Sequence, residues 1–156
     1  MKKKEEKKNV EKEISSLLSQ IFTLLEIKAA TTIEKQEEDQ FAVRIETEET
    51  GLLIGRHGEC INSLQLLLGV MLYKKFGKWV RVILDVGDYR KMREDSLKEM
   101  VERIAGEVEG TGVPVVLPYL SPLERRFVHL LLTENAKVTS ESTGEGKERR
   151  VTIKPR

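Results

Sequence analysis

With 156 residues, 39% of them hydrophobic and 34% charged, the chain has room for one ordinary domain or two very small ones. A formal net charge of +1 excludes an argument for nucleic-acid binding from bulk composition, so any such argument must rest on where the charges sit. A single cysteine, Cys60, excludes an intramolecular disulfide and a cysteine-based zinc site, and no apolar run approaches the ~18 residues of a membrane span.

Residues 1–10 are almost all charged and are expected to be a disordered, solvating tail. No apolar h-region follows them, so they do not read as a secretory signal, and a cytoplasmic protein is expected. From Ile14 the positions Leu17, Leu18, Ile21, Leu24 and Leu25 recur at helical spacing, predicting an amphipathic helix to about Ile27. Thr31 to Lys35 and Phe41 to Thr47 are rich in β-branched residues and flank the polar turn Glu37-Glu38-Asp39, which predicts two strands. A short helical stretch, Glu49 to Ile54, runs into Gly55-Arg56-His57-Gly58. A longer helix follows to about Phe76, with Ile61, Leu64, Leu68, Met71 and Leu72 on one face and Gly77 as its stop.

Trp79 to Val86 alternates apolar and polar residues at the period of a half-buried strand. Leu97, Met100, Val101, Ile104 and Val108 mark a helix from about Tyr89 to Glu109. Gly110-Thr111-Gly112-Val113-Pro114 interrupts both periodicities and is the expected domain boundary. Beyond it Val115 to Leu117 is a short strand candidate. Ser121-Pro122-Leu123-Glu124 carries the signals of a capped helix start, and that helix should reach about Glu134. Val138 to Glu141 and Arg149 to Ile153 read as two strands joined through Gly144-Glu145-Gly146.

Charge is distributed unevenly. Residues 34–50 carry two basic and seven acidic side chains, a net of −5. Residues 56–93 carry eight basic and three acidic, and residues 121–156 eight basic and five acidic. Both basic segments contain a candidate binding motif, as an electrostatic footprint requires.

The first motif is the glycine loop. Glycines at both corners permit positive φ and a close approach of backbone to a phosphate. The first amides of the following helix lack intrahelical acceptors and can donate to that phosphate, with help from the helix dipole. Arg56 adds a fixed charge, and His57 a donor that strengthens as it protonates. An ordinary helix–turn–helix corner that binds nothing has the same pattern. The second motif is Arg125 and His129, four residues apart and therefore on one helical face. Arg126 is adjacent, and Arg149-Arg150 open the last strand. Guanidinium groups beside an imidazole suit phosphate, although a solvated face of Glu–Arg pairs would read alike.

Leu53-Ile54-Gly55-Arg56-His57-Gly58-Glu59-Cys60-Ile61 resembles the Ile-Gly-x-x-Gly-x-x-Ile signature of KH domains, and the αββααβ order resembles their type II form. Leu120 to His129, Thr139 to Gly146 and Arg149-Arg150-Val151 resemble the R-three-H domain, named for its Arg-xxx-His. With Asp85-Val86, Tyr89-Arg90 and Arg93 between them, residues 11–156 are similar to the bacterial Jag family, also called KhpB. The resemblance implies an α/β (α+β) chain: a type II KH domain at 11–110 and a small α/β R-three-H domain at 111–156. It further implies that Gly55 to Gly58 contact a nucleic-acid backbone and that Ile54 and Ile61 floor an apolar groove for single-stranded nucleotides. Arg125, Arg126, His129, Arg149 and Arg150 would form a second single-strand site. With aromatic residues at only 5%, an aliphatic groove fits better than base stacking as the main mode.

The expected partner is single-stranded RNA, with single-stranded DNA as the alternative, in RNA chaperoning, post-transcriptional regulation or ribosome assembly. By the resemblance, a single-KH protein or a second copy of the chain is a further partner. Many family members begin with an additional N-terminal domain, and only Met1 to Val10 stand at that place here. A protein-interaction or dimerisation module in ribosome assembly or cell-envelope regulation is the other alternative, without the roles that depend on that domain. No membrane insertion, cofactor, metal site or catalytic residue is expected: on the Arg-xxx-His helix, His129 without a neighbouring nucleophile makes a poor active site. Cys60, three residues from His57, reads as a small packed hydrophobe rather than a nucleophile. Trp79 and Tyr89 read as packing residues.

Overall fold

A computed structural model describes residues 2–37 and 40–156, with side chains at 9–36 and 40–156. The expected turn at Glu38-Asp39 lies outside the described residues. Helix α1 spans Lys2–Leu24, strands β1 Ala29–Glu37 and β2 Gln40–Thr47, helices α2 Thr50–Ile54 and α3 Glu59–Phe76, and strand β3 Arg81–Val86. Helix α4 follows at Tyr89–Thr111, strand β4 at Val115–Val116, helix α5 at Pro122–Leu132, and strands β5 Val138–Thr143 and β6 Arg150–Pro155. A mixed α/β chain with the αββααβα order read from the sequence is what the structure holds.

The chain divides into two compact units after Arg90. In the first, β2 lies centrally, antiparallel to β1 and parallel to β3. Its core takes Ile14, Leu18 and Phe22 from α1, Phe41, Val43 and Ile45 from β2, and Leu64, Leu68 and Leu72 from α3. These positions follow the 3.6 period in the helices and the two-residue period in the strand, so each element turns one face inward. Each such side chain contributes roughly 1.5–3 kcal/mol on leaving water. Val10, 4% exposed, belongs to this core, and α1 begins at Lys2. The charged start, expected to be a disordered tail, is thus helical backbone here, because the apolar stripe of α1 begins a turn earlier than Ile14.

The second unit, Lys91–Arg156, holds a sheet in the order β4-β6-β5 with antiparallel pairing throughout. Leu97, Val101, Ile104, Ala105 and Val108 of α4 pack in one core with Leu117, Leu120, Val128, Leu132, Val138, Val151 and Ile153. This moves the boundary from the expected 110–111 to Arg90. The Gly-Thr-Gly-Val-Pro stretch ends a helix but separates no cores. Helix α5 starts as its signals indicate: the Ser121 hydroxyl accepts from the Glu124 amide, and Glu124 Oε2 accepts from the Ser121 amide at 2.7 Å. Among the described residues no helix is long and apolar enough to cross a membrane.

Candidate nucleic-acid interface

Between α2 and α3 the backbone makes a left-handed corner, with φ of +69° at Gly55, +53° at His57 and +79° at Gly58. A side chain is excluded at Gly55 by contact as well as by torsion: its Cβ would fall 2.6 Å from Cys60 Cβ and 2.9 Å from Cys60 N. At Gly58 a Cβ would meet the Tyr89 ring at 2.9 Å. Gly58 is the N-cap of α3 and no side chain caps that helix; the Glu59 amide donates to the Arg56 carbonyl, and the amides after it have no intrahelical acceptor. Arg56 is exposed at the corner, while His57 and Ile54 are half-buried. Ile61 is only 1% exposed and belongs to the core. It supports the helix behind the loop and offers no surface to a ligand.

The basic segment around this loop is less free than its count indicates. Lys75 pairs with Glu13 at 2.5 Å, and Arg44, another cation of this unit, lies 3.4 Å from Asp88. Arg90 turns inward: its Nε donates to the Leu84 carbonyl at 2.9 Å and its Nη2 to Gln65 Oε1 at 3.0 Å. Gln65 Oε1 also accepts from the Leu84 amide at 2.9 Å, so the outer edge of β3 is closed by side chains.

In the second unit Arg125, Arg126, His129, Ser142 and Arg149 line one shallow depression of about 340 Å³, with Pro122, Leu130 and Thr133. The helical spacing that put Arg125 and His129 on one face is realised. His129 Nδ1 lies 2.6 Å from Ser140 Oγ and Nε2 2.7 Å from Ser142 Oγ. In a neutral ring one nitrogen donates and the other accepts, so the imidazole ties α5 to two same-face positions of β5. Arg125 Nη1 donates to the Leu120 carbonyl at 2.8 Å, which leaves the rest of its guanidinium for a ligand. Arg126 and Arg149 are exposed.

Arg150 does not join this cluster. Successive strand residues face opposite sides, and its guanidinium stands over the Tyr119 ring, 5.6 Å from the centroid. Arg93 is also taken up in the fold, with its Nε donating to Glu124 Oε1 at 2.7 Å. Burial pushes the Glu124 carboxyl up, but the Ser121 amide, the Arg93 guanidinium and the Ser121 hydroxyl together hold it below its ordinary value.

Two contributors escaped the sequence reading of the sites. Ser142 sits two residues from Ser140, and that strand spacing was the available sign that both face α5. Tyr89 backs the glycine loop from beyond β3, and no local pattern connects it to Gly58.

Comparison with known proteins bears on the family. A family model described as the KhpA/KhpB KH domain matches residues 11–84, and one described as the R-three-H domain matches 95–155. The RNA-binding protein KhpB of Clostridium symbiosum is 30% identical over 148 residues, covering 94% of this chain and 67% of that protein. KhpB of Lactiplantibacillus plantarum is 40% identical over 111 residues, 71% of this chain and 34% of that protein. KhpB of Bacillus subtilis is 29% identical over 135 residues, 84% of this chain and 65% of that protein. The chain thus spans between about a third and about two thirds of these relatives. With a KH match over its first part, an R-three-H match over its second and relatives of that one kind, the chain belongs to the KhpB family.

Proposed function

We propose that the chain binds single-stranded RNA without catalysing a reaction on it, holding the backbone at Gly55–Gly58 and again in the depression around Arg126 and Arg149. The observation that carries this reading is the corner itself. Three residues with positive φ, Gly55, His57 and Gly58, turn the chain into the start of α3, which no side chain caps, beside an exposed arginine, and this geometry suits a phosphate. The second site adds three guanidinium groups around one depression. RNA chaperoning or post-transcriptional regulation is the proposed setting, and the relatives are RNA-binding proteins.

Fluorescence anisotropy with a labelled single-stranded RNA tests the reading. Arg56→Asp with His57→Asp keeps both glycines and places two negative charges where a phosphate should lie. Affinity should fall at least about tenfold, or about 1.4 kcal/mol. Unchanged affinity in a folded variant removes the loop from the site. A DNA strand of the same sequence, run beside it, reports whether the 2′-hydroxyl contributes.

One observation favours a second reading, contact with another KH-type chain or a second copy. On α3, Leu66, Val70 and Tyr73 form an exposed stripe, continued by Trp79, whose ring centroid lies 6.0 Å from that of Tyr73. Exposed apolar surface of this kind marks protein contacts. Light scattering on the chain and on Val70→Glu distinguishes a dimer that the variant breaks from a monomer in both.

A further inference from the structure

The sheet of the second unit has one covered and one open face. On β6, Val151 and Ile153 are fully buried, while Arg150, Thr152 and Lys154 between them are half-buried. The register extends that open face across the sheet: Thr152 is opposite Val116 of β4 and Glu141 of β5, and Arg150 is opposite Thr143. Val116 is 61% exposed there. Arg150 lies 5.6 Å from the Tyr119 ring centroid, and its Nη1 donates to the carbonyls of Lys147 at 2.6 Å and Arg149 at 3.1 Å. These bonds hold the guanidinium plane in place above the ring.

We infer that Tyr119 and Arg150 form a stacking shelf for one nucleobase of a bound single strand, on the sheet face opposite the Arg125–His129 depression. The inference rests on the single-strand binding proposed above. Aromatic rings and guanidinium planes are the surfaces on which unpaired bases stack, and every base has a π-face to offer. A guanidinium already fixed by two carbonyls loses little rotamer freedom on binding. Arg149, one residue earlier, lines the depression on the other face. A strand passing the start of β6 therefore meets a phosphate donor on one side and a stacking plane on the other. Residues 147–156 carry five basic side chains and one acidic, which suits a polyanion.

The test titrates the full chain with two labelled decamers of equal phosphate number, one of riboadenosine and one fully abasic. Arg150→Lys keeps the charge and removes the plane. It should weaken adenosine binding by about fivefold or more, equivalent to about 1 kcal/mol, and leave abasic binding unchanged. Tyr119→Leu, which keeps apolar support but removes the ring, should act the same way. Val116→Glu, at an exposed position that the fold does not need, should weaken the adenosine strand by repulsion. Equal losses on both strands for Arg150→Lys would make Arg150 a charge alone and overturn the shelf. So would wild-type affinity for both strands in Arg150→Lys and Val116→Glu. A wild-type chain that binds neither strand would instead overturn the single-strand reading itself.

Discussion

The Tyr89 ring closes the back of the glycine loop at Gly58, where an added Cβ would fall 2.9 Å from Tyr89 Cε1. Gly58→Ala therefore meets both a positive φ and a ring. The torsion alone costs on the order of 1 kcal/mol, and overpacking adds on the order of 1–3 kcal/mol. Tyr89→Ala in the same chain should return the steric part, giving a favourable coupling of at least about 0.5 kcal/mol in a double-mutant cycle by urea denaturation. Gly55→Ala has no such remedy, since its neighbours include the Cys60 backbone nitrogen at 2.9 Å. Additive losses for Gly58→Ala and Tyr89→Ala would show that the ring does not support the loop.

His129 and its neighbouring arginines should separate under mutation. His129→Ala strands the hydroxyls of Ser140 and Ser142 and should cost about 1–3 kcal/mol of stability. Arg126→Ala and Arg149→Ala are surface changes and should stay within about 0.5 kcal/mol. A loss of RNA affinity in the arginine variants with an unchanged Tm assigns them to binding. A fall in Tm equal to that of His129→Ala would assign them to the fold.

Glu124 predicts an acid limb. Its carboxyl, half-buried but hydrogen-bonded by the Ser121 amide and Arg93, is held below its ordinary 4.5. A carboxyl lowered by folding contributes its stability fully above the unfolded pKa, and that contribution disappears as pH falls through the folded value. The wild-type chain should thus lose stability below about pH 4.5, and Glu124→Gln should start lower at pH 7 and fall less. Thermal melts from pH 3 to 7 check this. Parallel profiles would contradict it.

The features legible in the sequence are those set by local chemistry. The glycine corner, the capping box of Ser121 and Glu124, and the shared face of Arg125 and His129 each need only spacing within one element. Assignment of α4 was not legible, because Leu97, Val101 and Ile104 give the same periodicity whichever core they enter. The roles of adjacent Arg149 and Arg150 were merged for a related reason: two consecutive arginines look alike until a strand sends them to opposite faces. Arg90 counted as surface charge until Leu84 and Gln65 were seen to hold it.

The revised boundary makes its own prediction. A fragment of residues 91–156 retains the five α4 side chains of the second core and should fold cooperatively. A fragment of residues 111–156 loses all of them, and each deletion of such a side chain costs roughly 2–5 kcal/mol for the larger residues. It should give the dispersionless amide spectrum of an unfolded chain. A folded spectrum for 111–156 would restore the boundary at Gly110.

Salt dependence of RNA affinity tests the two-site account most directly. A protein that holds phosphates releases counterions, with a logarithmic slope near −0.7 for each phosphate neutralised on a single strand. Arg56 at the loop, with Arg125, Arg126 and Arg149 at the depression, would neutralise about three to four phosphates, for a slope of about −2 to −3. Arg126→Ala with Arg149→Ala should make the slope shallower by about 1.4 while binding through the loop persists. The same slope in both proteins, or a slope near zero in the wild-type chain, would contradict the account.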